Sequence, residues 1–287
     1  MKYKIADFKI ACANDLFQIT RDLLADAAGE VGFESFEETE EGLKGYIQDQ
    51  FFDVQTLKKA LEDFPLANVQ ISYQLSDAED KNWNEAWEKT GFEAIIINEK
   101  VVIYDAKSDF SSNDSHQLPI GIEAKQAFGT GNHQTTRMII SSMLEMNLHK
   151  KRVLDCGCGT GILGITACKL GASEVVSYDI DEWSVKNTKH NAQINGVEHI
   201  EVLLGDVNVL SHVCGVFDLV LANINRNILI NDMPIFKEMM NAEGMIIISG
   251  FYENDAPLLL EKAAELGLEE MGRKTEKKWC CLLLSKK

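Results

Sequence analysis

The chain has 287 residues, 45% of them apolar and 25% charged, which excludes disorder and collagen-like repeats. At roughly 150 residues per domain this length suggests two domains. Asp and Glu outnumber Lys and Arg by 45 to 28, a net charge of −17 that disfavours a phosphate backbone as partner and favours a basic protein or cationic ligand.

Residues 1–76 alternate short elements. A strand over 3–11 leads to a helix capped by Asn14 or Asp15, with Leu16, Ile19, Leu23 and Leu24 at helical spacing. Two strands follow over 33–36 and 43–47, separated by an acidic turn. A helix then starts at Asp53 and ends at Pro65, and a strand covers 69–75. The βαββαβ order is the split-βαβ, ferredoxin-like arrangement. Residues 77–91 read as a linker helix carrying Trp83 and Trp87, four apart and so on one face.

Residues 92–287 open with a hairpin turning at Asn98-Glu99-Lys100, then a loop over 106–120 without apolar period. From Lys151 the rhythm is strand, glycine-rich turn, helix. Its strands are apolar nearly throughout, as in a parallel sheet covered on both faces. A Rossmann-like, doubly wound α/β domain is expected, closed by an antiparallel pair of strands. Seven cysteines without a C-x-x-C pair, and no paired histidines, point to reduced thiols and no metal. The first residues lack a signal-peptide pattern, and no apolar run approaches the ~20 residues that span a bilayer. A cytoplasmic monomer without membrane or nucleic-acid contacts is the expectation.

The main chemical signal is Asp155-Cys156-Gly157-Cys158-Gly159-Thr160-Gly161 at the end of the first strand of that unit. Alternate glycines let the backbone turn sharply and approach a ligand, with free N–H groups behind them. Two ligands suit such a loop. Gly159 to Gly164 is a literal G-x-G-x-x-G with Asp179 beyond it, as in dinucleotide binding. The D-x-G-x-G-x-G form suits S-adenosylmethionine, with Asp179 on the ribose diol. Asp155 favours the second, because it would repel a pyrophosphate but not a sulfonium or an ammonium. The plain structural alternative is tight strand–helix packing.

Asp206 follows the third strand and either meets the adenine amino group or caps a turn. Asn223 ends the fourth strand, where an amide reaches the ligand crevice or begins an Asx-turn. Asp181 reads as a helix cap. Ahead of this unit stands Phe128-Gly129-Thr130-Gly131-Asn132-His133-Gln134-Thr135-Thr136-Arg137, a turn and helix start that suggests a second wall over the cofactor. His133 alone reads as a turn-stabilising residue.

These segments together resemble the ribosomal protein L11 methyltransferase (PrmA) family. The match rests on the Phe128–Thr136 stretch, the glycine loop, Tyr178-Asp179-Ile180-Asp181 and Leu221-Ala222-Asn223-Ile224, with the Trp-bearing linker. The resemblance implies a seven-stranded class I methyltransferase domain and an N-terminal domain that captures the ribosomal protein. It places donor contacts on Thr136, Gly157, Asp179 and Asn223, with Phe128 and Gly129 nearby. Asp155, Gly159 and Asp206 complete the expected S-adenosylmethionine site. It also implies methylation of the α-amine and of lysines. Asn223-Ile224-Asn225-Arg226 replaces the N-P-P-Y of many amine methyltransferases and removes its aromatic clamp.

The acceptor must be neutral. At pH 7 this costs a lysine about 4.6 kcal/mol and an α-amine about 1 kcal/mol. No residue stands out as base; desolvation beside the sulfonium and alignment by Asn223 are the expected devices. Residues 1–80 carry 17 acids and 7 bases, with five acids in 34–41, which fits a lysine-rich partner or a solvated loop. A dehydrogenase and a non-catalytic donor-binding adaptor are the competing readings.

Overall fold

The computed structural model describes the chain except residues 1–2, 14–15, 67–68, 78–90, 109, 111–115, 125–126, 128 and 287, and the side chain of Gln50. It divides into two compact units, Met1–Asn82 and Trp83–Lys287. The linker expected over 77–91, Phe128 and the caps expected at Asn14 or Asp15 lie wholly or almost wholly outside the described residues.

The first unit runs β1 (Tyr3–Ala11), α1 (Phe17–Glu30), β2 (Ser35–Glu38), β3 (Gly42–Gln48), α2 (Val54–Glu62) and β4 (Gln70–Asp77). Its sheet has the order β2-β3-β1-β4 with every pair antiparallel. Alternation along β1 buries Ala6, Phe8 and Ile10 on one face, where Leu24, Ile47 and Leu57 meet them. Asp53 caps α2, accepting from the backbone N–H of Gln55 at 3.1 Å and Thr56 at 3.3 Å. The acidic stretch 34–41 is partly strand, and four of its five carboxylates are engaged at home. Glu34 accepts from Tyr3 and Gln48, Glu37 from Tyr46, while Glu38 pairs with Arg21 and Glu41 with Lys9.

The second unit opens with β5 (Ile95–Ile97) and β6 (Val101–Asp105), whose turn has positive φ at Asn98 and Glu99. Overlapping the end of the loop expected over 106–120 is a further strand, β7 (Leu118–Ile122), parallel to β6. It is short and contains Pro119 and Gly121, so no apolar period marks it. Distant amides hold it instead: Asn195 accepts from the Gly121 N–H at 3.0 Å and donates to the Gly121 carbonyl at 2.7 Å.

The main sheet comprises β8 (Arg152–Cys156), β9 (Glu174–Asp179), β10 (Ile200–Leu204), β11 (Phe217–Asn223), β12 (Met240–Tyr252), β13 (Leu268–Glu276) and β14 (Trp279–Lys286). Their order is β10-β9-β8-β11-β12-β14-β13. The first five are parallel, and β14 runs antiparallel to both of its neighbours. Helices α3 (Gln134–Met143), α4 (Ile162–Lys169), α5 (Glu182–Ile194), α6 (Arg226–Met239) and α7 (Ala256–Glu265) accompany it. Two apolar clusters cover it, one containing Val153 and Ile165, the other Leu154 and Phe236. The connection reverses direction between β8 and β11, and a crevice at the C-terminal strand ends is where such sheets bind ligands. Among the described residues no helix is long and apolar enough to cross a membrane.

Candidate active site at the strand ends

The glycine loop leaves β8 in a left-handed course. Gly157 has φ +69°, and a Cβ there would stand 2.4 Å from Cγ2 of Ile224. Gly161 has φ +81° and faces Thr188, where a Cβ would come within 2.7 Å of Cγ2. A Cβ at either position would collide with these side chains, and with the left-handed backbone this is why the positions need glycine. The N–H groups of Gly157 and Cys158 donate to the Tyr178 carbonyl, fastening the loop to β9.

Asp179 ends β9 beside this loop. Its Oδ2 accepts from the Gly159 N–H at 2.9 Å and its Oδ1 from the Asp181 N–H at 3.0 Å. Each oxygen keeps a second lone pair for a diol. Burial pushes its pKa above the usual carboxylate range, partly offset by those backbone donors.

Asp155 sits elsewhere than the motif suggests. It is 1% exposed, behind the loop, where Oδ2 accepts from the Gly164 N–H at 2.9 Å. Its Oδ1 and the Oγ of Ser177, its register partner on β9, are buried without a hydrogen-bond partner. Desolvation raises its pKa to about 7. Asp155 therefore supports the start of α4 and does not face the crevice. Asp206 is exposed and accepts from the Asn208 N–H at 3.0 Å, capping a 3-10 turn over Val207–His212. Asp181 caps α5 through the Ser184 N–H.

The segment ahead of the sheet lies against the loop. Thr160 Oγ1 donates to the Gly129 carbonyl at 2.6 Å. Gly131 is packed so closely on Ile103 that a Cβ would lie 2.7 Å from its Cδ1. His133 caps α3, Nδ1 accepting from the Thr135 N–H, and burial with the nearby Arg137 charge lowers its pKa. Thr136 is buried, and its Oγ1 accepts from Asn223 Nδ2 at 3.3 Å. That bond joins residues 87 apart in the chain and closes one side of the crevice.

Sequence reasoning missed the apolar rim. Ile180, just beyond β9, is 56% exposed and Leu204, ending β10, is 54% exposed. Both adjoin residues picked out by their polarity, and only the fold shows that they are left uncovered. The cradle and the half-buried carboxylate fit an adenosyl group. The crevice residues named here include no cation positioned for a pyrophosphate.

A family model described as Ribosomal protein L11 methyltransferase (PrmA) matches residues 19–287. The chain is 42% identical over 282 residues to the ribosomal protein L11 methyltransferase of Phocaeicola vulgatus, covering 98% of each. It is 40% identical over 285 residues to the protein of that name from Porphyromonas gingivalis, covering 98% of this chain and 97% of that one. The chain belongs to the PrmA family. The crystal structure of ribosomal protein L11 methylase from Lactobacillus delbrueckii subsp. bulgaricus matches with a TM-score of 0.64 at 30% identity, over 68% of this chain and 100% of that one. PrmA membership makes the second unit a class I methyltransferase domain. Family and fold imply S-adenosylmethionine as the methyl donor, and the dinucleotide reading of Gly159 to Gly164 gives way.

Proposed function

We propose that this protein methylates the N-terminal α-amine and lysine side chains of ribosomal protein L11, with S-adenosylmethionine as donor. The observation that carries the reading is the Thr136–Asn223 bond beside the glycine loop. It brings the two segments that mark the family into one wall at the strand ends. Asp179 holds the ribose of the adenosyl group in the space kept open by Gly157 and Gly159, with Ile180, Leu204 and Asp206 at the adenine side. Thr136 and Asn223 take the methionine end, with Gly129 adjacent.

Bound there, the donor supplies a methyl on a sulfonium, an electrophile with an excellent leaving group. The protein's contribution is placement, which for well-oriented reactants is worth roughly 7–11 kcal/mol. Asn223 orients the acceptor lone pair, while desolvation keeps the amine neutral. The first unit captures the ribosomal protein, in keeping with the −10 that residues 1–80 contribute to a total of −17 (7 bases less 17 acids). We place this activity in the cytoplasm, on a monomer.

Peptide-mapped mass spectrometry of L11 after incubation with enzyme and donor tests the reading. Methyl groups on the α-amine and on lysines are expected; an unmodified protein would refute it. Calorimetric titration should show S-adenosylmethionine binding and no uptake of NAD.

A further inference from the structure

The N-P-P-Y tyrosine is absent after Asn223, and among the described residues an exposed aromatic stack stands elsewhere in the unit. Tyr252, ending β12, is 53% exposed although its ring is stacked on another. The Tyr252 and Trp279 ring centroids lie 4.3 Å apart, tilted by 31°. The His133 ring meets Trp279 edge-on at 4.7 Å and 73°. Tyr252 and Trp279 are register partners on β12 and β14, and His133 caps the helix whose Thr136 bonds Asn223.

The stack is tied to the crevice on two sides. Asn223 is level with Ser249, so Tyr252 stands three residues further along β12, across a bulge at Gly250. Between them Gly250, at φ +99°, passes so near the loop after β11 that a Cβ would lie 2.4 Å from the Ile224 carbonyl oxygen. Beyond it, Asp255 accepts from the Tyr252 N–H at 3.2 Å and from Arg226 Nη1 at 2.7 Å. The tyrosine is thus anchored to the Asn223-Ile224-Asn225-Arg226 loop, stacked on Trp279 and still half exposed.

We propose that Tyr252, braced by Trp279, is the platform on which the acceptor amine and its methylated forms rest between rounds of transfer. This rests on the amine-methylation reading above. In each round the amine lone pair forms the N–C bond as the C–S bond breaks, leaving a thioether and an ammonium. The ammonium loses a proton to water before the next attack, and after the third round no N–H remains. An amide such as Asn223 loses its hydrogen-bonding partner as methyls accumulate. An aromatic face holds the cation through its quadrupole whatever the number of methyls. A platform of this kind lets one amine stay for successive transfers.

The test compares wild type, Tyr252→Ala and Tyr252→Phe on intact L11. Tyr252→Ala should leave the S-adenosylmethionine Kd within about twofold. It should raise the acceptor KM by about two- to fivefold, the size of an exposed ring–cation contact, and shift products toward fewer methyls per amine at equal total turnover. Tyr252→Phe, which keeps the ring, should behave as wild type. Unchanged KM and methyl distribution in Tyr252→Ala would overturn the platform, as would a Tyr252→Phe variant equally impaired. Calorimetry with a trimethyl-lysine peptide separates the two levels of inference. Binding lost in Tyr252→Ala supports the platform even if L11 proves not to be the substrate. Absence of binding to wild type would remove the platform while leaving methyl transfer intact.

Discussion

Asp155, next to last in β8, and Asp179, last in β9, lie on adjacent strands, and burial raises both, but they serve different purposes. Asp179 reaches the crevice. Charged hydrogen bonds are worth about 1.5–3 kcal/mol, so Asp179→Ala should weaken S-adenosylmethionine binding by roughly 10- to 100-fold, measured by calorimetry. Asp155 is structural, and its pKa has a sign worth following. Folding lifts it from 3.8 to about 7. A carboxyl held higher in the folded state favours folding fully below the unfolded value and loses that advantage as pH rises through the folded one. The Asp155 contribution should therefore fall between about pH 4 and pH 7. Asp155→Asn keeps an acceptor for the Gly164 N–H without the ionisation and should flatten that fall. Urea unfolding at about pH 5 and about pH 8 checks this, and a wild-type slope in the variant would show that Asp155 does not titrate there. The motif made Asp155 look like a donor contact because spacing reports which residues are near a loop, not which side of it they face. Asn223 was legible because it ends a strand, and position at a strand end carries over directly from sequence to crevice.

At the scale of elements, the apolar strands β8, β9 and β11 announced themselves, because a strand covered on both faces must be apolar on both. β7 did not, since its pairing is completed by Asn195 from a helix far along the chain. The stack of His133, Tyr252 and Trp279 was equally hidden, being assembled from the start of one helix and two strand ends. The glycine loop was legible, and its geometry gives a direct test. Gly157→Ala must hold an alanine at φ +69° against Ile224. The left-handed backbone alone costs about 1–2 kcal/mol, and displacement of Ile224 should also disturb Asn223. Thermal unfolding and donor titration should both register the change. The β13–β14 hairpin offers the reverse experiment. Its turn places Lys277 at φ +48° and Lys278 at φ +73°. Asn-Gly in their place suits a two-residue turn of this kind and should stabilise the fold by about 1 kcal/mol without altering turnover.

For the whole molecule, the small antiparallel unit shows in the βαββαβ order of residues 1–76, and the strand–turn–helix rhythm from Lys151 marks the doubly wound sheet inside the larger unit. Charge was legible only as a sum. The −17 total and its concentration in residues 1–80 stand, yet Glu34, Glu37, Glu38 and Glu41 are each engaged within their own unit. These partners lie on other strands and helices and leave no local mark in sequence. Attraction to a basic protein should therefore come from the field of the unit more than from one turn. Raising ionic strength from about 0.05 to about 0.3 M should raise the KM for L11 several-fold and leave S-adenosylmethionine binding nearly unchanged. A salt-independent KM would point to apolar docking.

The Asp179 carboxylate already grips two amides of its own chain, those of Gly159 and Asp181. The turn around this carboxylate is thus fixed before any ligand arrives, and exchange of spent for fresh donor should not require that turn to be rebuilt.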